Sequence, residues 1–117
     1  MKNISIISIP VTDQQRAKEF YVKAGFTLLL ENKMGPDQTW IQLGFPGAET
    51  SITLVNWFPN MPPGSIRGLV VDTDDIEQEI DRLKQHGIIT GTIDQTPWGR
   101  FASVTDPDGN VFSLHQA

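Results

Sequence analysis

A chain of 117 residues, 38% hydrophobic and 20% charged, is long enough for one domain with its own core, and its lack of cysteine rules out thiol catalysis, disulfides and cysteine-held zinc. The formal net charge is −5, and the nine Lys plus Arg are scattered, which argues against a nucleic-acid partner and mildly favours neutral or cationic ligands. The opening "MKNISIISIP" is too short and too polar for a signal peptide or a membrane span, so the expectation is a cytoplasmic protein with no membrane partner.

The first run, "ISIISIPVTD", alternates apolar and small residues in the manner of a strand. Asp13 then opens "DQQRAKEFYVKAGF", where Ala17, Phe20, Tyr21 and Ala24 recur at helical spacing. Asp13 suits an N-cap and Gly25 a C-terminal stop. Three further strand candidates follow, "FTLLLEN", "TWIQLGF" and "TSITLVNW", separated by "MGPDQ" and "FPGAE". The stretch from Phe58 to Ser65, "FPNMPPGS", is the richest in turn formers and marks a junction.

Beyond it the same order returns. "IRGLVVDTD" is β-rich, and "DIEQEIDRLKQHGI" carries Ile76, Ile80 and Leu83 on one stripe between Asp75 as cap and Gly87 as stop. Asp13 and Asp75 lie 62 positions apart, as do Gly25 and Gly87; Ile7 and Ile9 fall on Leu69 and Val71 at that offset. Several matches at one offset indicate a duplicated unit. The strand candidates after the second helix are "IITGTID", "GRFASVTD" and "NVFSLHQ". The whole is therefore expected to be one α+β domain over residues 1–117 made of two βαβββ modules, residues 1–58 and 66–117, joined by a linker at 59–65.

The segment "VTDPDGNVFSLH", from Val104 to His115, invites a calcium-loop reading. An EF-hand places glycine sixth and a glutamate twelfth, whereas counting from Asp106 puts Gly109 fourth and Ala117 twelfth. A hairpin fits better: Pro107 presets a turn φ, and Asp108 with Gly109 tolerates the reversal.

Together, "IPVTDQQRAKEFYVKAGF", "VVDTDDIEQEIDRLKQHGI" and "TPWGRFASVTDPDGNVFSL" give the sequence a resemblance to the vicinal oxygen chelate superfamily, which includes glyoxalases, bleomycin-resistance proteins and extradiol dioxygenases. That resemblance implies two modules whose sheets curl into an incomplete β-barrel around a cavity, usually in a homodimer. Metal-dependent members take one ligand from each module's first strand, seven residues before the helix cap, and a Glu from each last strand. In this chain the first-strand positions are Ile6 and Gly68, the last-strand position of the second module is Ser113, and its counterpart in the first is Thr53 or Ser51. None of these is a strong divalent-metal ligand, so neither a metal nor any other cofactor is expected.

Strand parity assigns the inward side chains. Ile7 and Ile9 share the helix-facing side of the first strand, leaving Ile6 and Ser8 for the cavity. By the same alternation Phe101, Ser103, Ser113 and His115 point inward, while Ala102, Val104, Phe112 and Leu114 pack on the helix. In "TWIQLGF" either Trp40 with Gln42 or Ile41 with Leu43 lines the pocket. The candidate ligand-binding set is thus Ile6, Ser8, Trp40, Gln42, Thr53, Gly68, Phe101, Ser103, Ser113 and His115. His115 is the one acid or base among them and otherwise a chain-end histidine near solvent; His86 suits a helix C-terminus. Trp40, Trp57, Trp98 and Phe101 could stack on a flat ligand or serve as core. Arg100, in "TPWGR", could meet an anion or pair with surface acids.

These readings favour a metal-independent protein that binds a small, partly aromatic molecule, similar in role to bleomycin-binding proteins that sequester a drug. The alternatives are a lyase, isomerase or dioxygenase of the superfamily with displaced ligands, and a dimerising module with a degenerate pocket.

Overall fold

Asp13 caps the first helix as its chemistry dictates: its carboxylate accepts from the backbone N–H of Gln15 and Arg16, at 3.0 and 3.1 Å. In the computed structural model, which describes all 117 residues, that helix, α1, spans Gln14–Ala24 and stops at Gly25, whose φ of +118° suits glycine. It follows β1 (Ile6–Pro10) and precedes β2 (Thr27–Gly35), β3 (Gln38–Gly44) and β4 (Ser51–Val55). The second half repeats the order with β5 (Leu69–Asp72), α2 (Ile76–Gln85), β6 (Ile89–Thr90), β7 (Asp94–Thr96), β8 (Gly99–Thr105) and β9 (Val111–Gln116). Asp75 caps α2 through the Gln78 N–H, and His86 closes it just before Gly87.

Strand order makes the duplication visible. The first sheet runs β1-β4-β3-β2 and the second β5-β9-β8-β6, with β7 also on β8. In both, the first and last strands of the module pair in parallel and the last two pair antiparallel. No ladder joins the two sheets, so the architecture is α+β with two small sheets and no closed barrel.

One expected strand is corrected. "IITGTID" is not continuous but splits into β6 and β7 around residues 91–93. At Gly91 the chain runs so close to β8 that a Cβ there would lie 2.5 Å from the Ser103 hydroxyl oxygen, and the Gly91 N–H is already spent on the Ser103 carbonyl.

The core lies where helices meet sheets and crosses from one module to the other. Tyr21 of α1 packs edge-on against Phe20 and Phe26 and lies 6.3 Å from Phe112 of β9, centroid to centroid. Ile76, Ile80 and Leu83 of α2 close the same cluster. Burying such side chains gives about 1.5–3 kcal/mol each, which is the main force holding the modules together. Arg82 of α2 adds a polar clasp: its guanidinium donates to the carbonyls of Lys23 and Ala24 at 2.9 and 2.7 Å, satisfying the C-terminal end of α1 while held by Glu79. No helix is long and apolar enough to cross a membrane.

The turn at residues 106–110 adds a polar link between the modules. Asp106 is buried and accepts from four donors: the Tyr21 hydroxyl, the Asn110 side-chain amide, and the backbone N–H of Asp108 and Asn110. The Asn110 amide also donates to the Pro10 carbonyl of β1, while its oxygen accepts from the Ile66 N–H. Asp108 accepts from Thr12 at 3.2 Å and pairs with Arg16 at 3.5 Å. The Asp106 carboxylate that suggested calcium is thus spent on the protein itself, while Asp108 keeps one buried oxygen, Oδ2, without a hydrogen-bond partner.

Candidate functional site

Alternation places the candidate residues on the sheet faces away from the helices. In β3, Ile41 and Leu43 are fully buried in the core, so Trp40 and Gln42 take the open face, which resolves the ambiguity of that strand. The Trp40 indole N–H donates to the Gln42 side-chain oxygen at 3.1 Å, and the Gln42 amide donates to the Ser51 hydroxyl at 2.8 Å. Ser8 lies opposite Thr53, their hydroxyl oxygens 3.3 Å apart. Thr53 was expected to meet a ligand but is 0% exposed: it sits on an inner strand of its sheet with its hydroxyl taken by Ser8. Ile6 is exposed at the edge.

On the second sheet Val70, Ser113 and Ser103 form one row across β5, β9 and β8, and Asp72, His115, Phe101 and Asp94 form the next, ending on β7. A hollow of about 260 Å³ opens over these rows, lined by Phe101, Ser103 and Ser113 together with Gly91, Thr92 and Asp94. Sequence reasoning missed the last three; the break at Gly91 that exposes them has no signal in the strand pattern. Thus the ten candidates fall into two groups, Ile6, Ser8, Trp40, Gln42 and Thr53 on one sheet and Phe101, Ser103, Ser113 and His115 on the other, with Gly68 just ahead of β5 and outside the ladder. A larger cleft of about 490 Å³, between the β3–β4 loop and β5, contains none of the ten.

The pairing register also chooses between Thr53 and Ser51 as the counterpart of Ser113. Ser8 and Val70 are equivalent at the repeat offset, and Ser8 lies opposite Thr53 as Val70 lies opposite Ser113. The donor set at these positions does not fit a divalent metal. Ile6 and Gly68 offer no donor, Thr53 and Ser113 offer hydroxyls, and no group of three or more His, Asp or Glu side chains is placed to hold an ion. Gly68 itself stands at φ +86°, a conformation that a histidine would adopt only under strain.

His115 is not a loose chain-end residue. Its Nδ1 lies 2.7 Å from the Asp72 carboxylate and its Nε2 2.9 Å from the Trp98 carbonyl oxygen, and its ring packs against Phe101 at a tilt of 36° with centroids 4.7 Å apart. The hydrogen bond to Asp72, then that to Trp98, holds the imidazole above the ordinary histidine value of 6.5. The parallel register that brings Asp72 beside His115 was the signal that could have found the partner. Arg100 pairs with Glu77 of α2 at 2.5 Å on the helix side, so it is not aimed at the open face. Trp57 packs edge-on against Phe58 near the junction, and Trp98 stands 79% exposed on the β7–β8 turn.

The family model of the Glyoxalase/Bleomycin resistance protein/Dioxygenase superfamily matches residues 3–114. The chain is similar to TnmS3 of Streptomyces sp. CB03234, an antibiotic binding protein, at 46% identity and a TM-score of 0.93, with 99% of this chain and 96% of that one covered. A glyoxalase/bleomycin resistance protein from the same organism is 47% identical at a TM-score of 0.87, with 97% and 100% covered. The uncharacterized protein YetH of Bacillus subtilis (strain 168) is 34% identical over 99% of both chains.

Proposed function

The chain belongs to the glyoxalase/bleomycin resistance protein/dioxygenase superfamily, and from that premise we propose that it binds a small, flat, partly aromatic molecule of the antibiotic type without a metal and withholds it rather than transforming it. The observation that carries this reading is the hollow on the second sheet. Phe101 offers an aromatic face, Ser103 and Ser113 offer hydroxyls that both donate and accept, and Asp94 adds a negative rim. Similarity to an antibiotic binding protein over nearly the whole chain supports the same ligand class.

The two groups of candidate residues sit on separate open sheets, which supports a homodimer in which the first sheet of one copy faces the second sheet of the other. Each ligand would then lie between Trp40 and Gln42 from one chain and Phe101 and Ser113 from its partner copy.

Titration with planar aromatic antibiotics, followed by tryptophan fluorescence and calorimetry, tests the reading. Binding should persist in excess chelator, and Phe101→Ala should weaken it about tenfold through the lost stacking. Loss of binding on chelation, or an unchanged affinity in Phe101→Ala, would defeat it. The Asp72–His115 pair is the one feature that favours an enzyme of the superfamily, a lyase, isomerase or dioxygenase. His115 is absent from the lining of the hollow, however, so the pair does not face the space in which a substrate would lie.

A further inference from the structure

Both acceptors around His115 are of the kind that cannot donate. A carboxylate oxygen of Asp72 faces Nδ1 and a peptide carbonyl of Trp98 faces Nε2. A neutral imidazole carries one N–H and can satisfy one of them; the imidazolium carries two and satisfies both. The surroundings are built closely on that ring. Gly99, next to Trp98, stands at φ +123°, and a Cβ there would lie 2.7 Å from His115 Nε2 and 2.5 Å from the Gln116 carbonyl oxygen. Phe101 packs at a tilt against the imidazole, and the His115 side chain is 21% exposed.

We propose that His115 is a proton-operated clasp that ties the β7–β8 turn, with Trp98 at its tip, to the edge strand β5 through Asp72. Beyond the β7–β8 ladder that closes at Thr96 and Gly99, the tip has only local bonds: the Trp98 N–H donates to the Thr96 hydroxyl at 3.2 Å, and that hydroxyl donates to the Gly99 carbonyl. His115 is the side chain that connects it to the opposite edge of the sheet.

The direction of the switch follows from the neighbours. On the open face, Asp72 of β5 touches the ring and favours the cation, and Asp94 of β7 lies beyond Phe101 in the same row. On the other face, Arg100 of β8 and Glu77 of α2 neutralise one another, and Gln116 is occupied with the Ile76 N–H. The clasp is therefore closed at low pH and opens as pH rises through the elevated value of His115. In the neutral ring the proton stays on Nδ1 against the carboxylate. Nε2 then turns a lone pair toward the Trp98 carbonyl, and the turn is released.

The clasp stands independently of ligand binding, so the ligand-free protein tests it. Ring-nitrogen NMR from about pH 5 to about pH 9, with His86→Gln to separate the two histidines, should show His115 doubly protonated up to a midpoint above free histidine. Amide hydrogen exchange at Trp98, corrected for its intrinsic pH dependence, should accelerate on the order of tenfold across the same midpoint. In Asp72→Asn both transitions should move together to lower pH. A His115 that keeps a single protonated nitrogen throughout would overturn the proposal. So would a Trp98 amide whose corrected exchange ignores the midpoint, or an Asp72→Asn protein in which the exchange transition stays in place.

Discussion

At Asp106 one buried carboxylate receives four hydrogen bonds, and the Tyr21 hydroxyl from the other module is one of them. Removing that hydroxyl in Tyr21→Phe deletes a bond to a charged acceptor while the remaining three donors keep the carboxylate solvated. The expected loss is about 1.5–3 kcal/mol by urea unfolding, with the slope unchanged. Burial, followed by the Asp106 charge, pushes the Tyr21 phenol far above its ordinary value of 10.0. A group raised in the folded state stabilises fully below its unfolded value, and that contribution falls away as pH climbs past 10.0. Because Tyr21 is the chain's single tyrosine, ultraviolet absorbance reads it directly: the folded protein should show no tyrosinate at about pH 11, where an unfolded tyrosine is largely ionised. Tyrosinate forming in the folded protein near pH 10 would refute the buried network. The sequence presented Asp106 as one acid in a turn. Its burial depends on Tyr21, 85 positions away, and no local pattern carries that information.

Elements differ in how far their residues announce them. Both helices were legible because cap, apolar stripe and glycine stop are all local signals, and Asp13, Gly25 and Asp75 perform those tasks. The parities of β1, β8 and β9 were legible for the same reason, since one face of each is buried against a helix. The break between β6 and β7 was not, because it depends on the approach of Gly91 to Ser103 across the sheet. The junction between modules is a second case of close approach. Gly64 has φ +82°, and a Cβ on it would fall 2.1 Å from the Asp108 carbonyl oxygen, a backbone atom that cannot swing aside. Gly64→Ala therefore combines a left-handed backbone with a backbone clash and should cost about 2–4 kcal/mol in thermal or urea unfolding. Gly47, also at positive φ but with nothing near its Cβ, serves as the control, and its alanine variant should lose only about 1 kcal/mol. Equal losses in the two variants would mean that the contact between junction and turn contributes nothing.

The whole molecule buries the helix sides of its sheets and leaves much of the other sides, outside the fully buried β4, only partly covered, and this asymmetry has a consequence for assembly. The edge strand β2 is nine residues long and presents Leu28, Leu29, Leu30 and Met34 at 40–51% exposure; Ile6 and Val70, on the edge strands β1 and β5, add 40% and 51%. A long apolar edge of this kind is a template for another chain unless something covers it. The candidate site points the same way, because its two groups of residues lie on different sheets and no ladder brings those sheets together. How the sheets face one another was beyond the reach of the sequence, since strand parity names the open side of each sheet and not what lies across from it. If two copies cover each other's faces, light scattering after gel filtration should give twice the 13.0 kDa chain mass. Leu30→Glu, which places a charge beside Gln42 on the first sheet, should shift that mass to the monomer at micromolar concentration while far-ultraviolet dichroism stays unchanged. The same variant should lose affinity for aromatic ligands together with its partner, because each site would lack one wall. A monomeric Leu30→Glu protein that binds with undiminished affinity would place the ligand within one chain, on the Phe101 hollow alone.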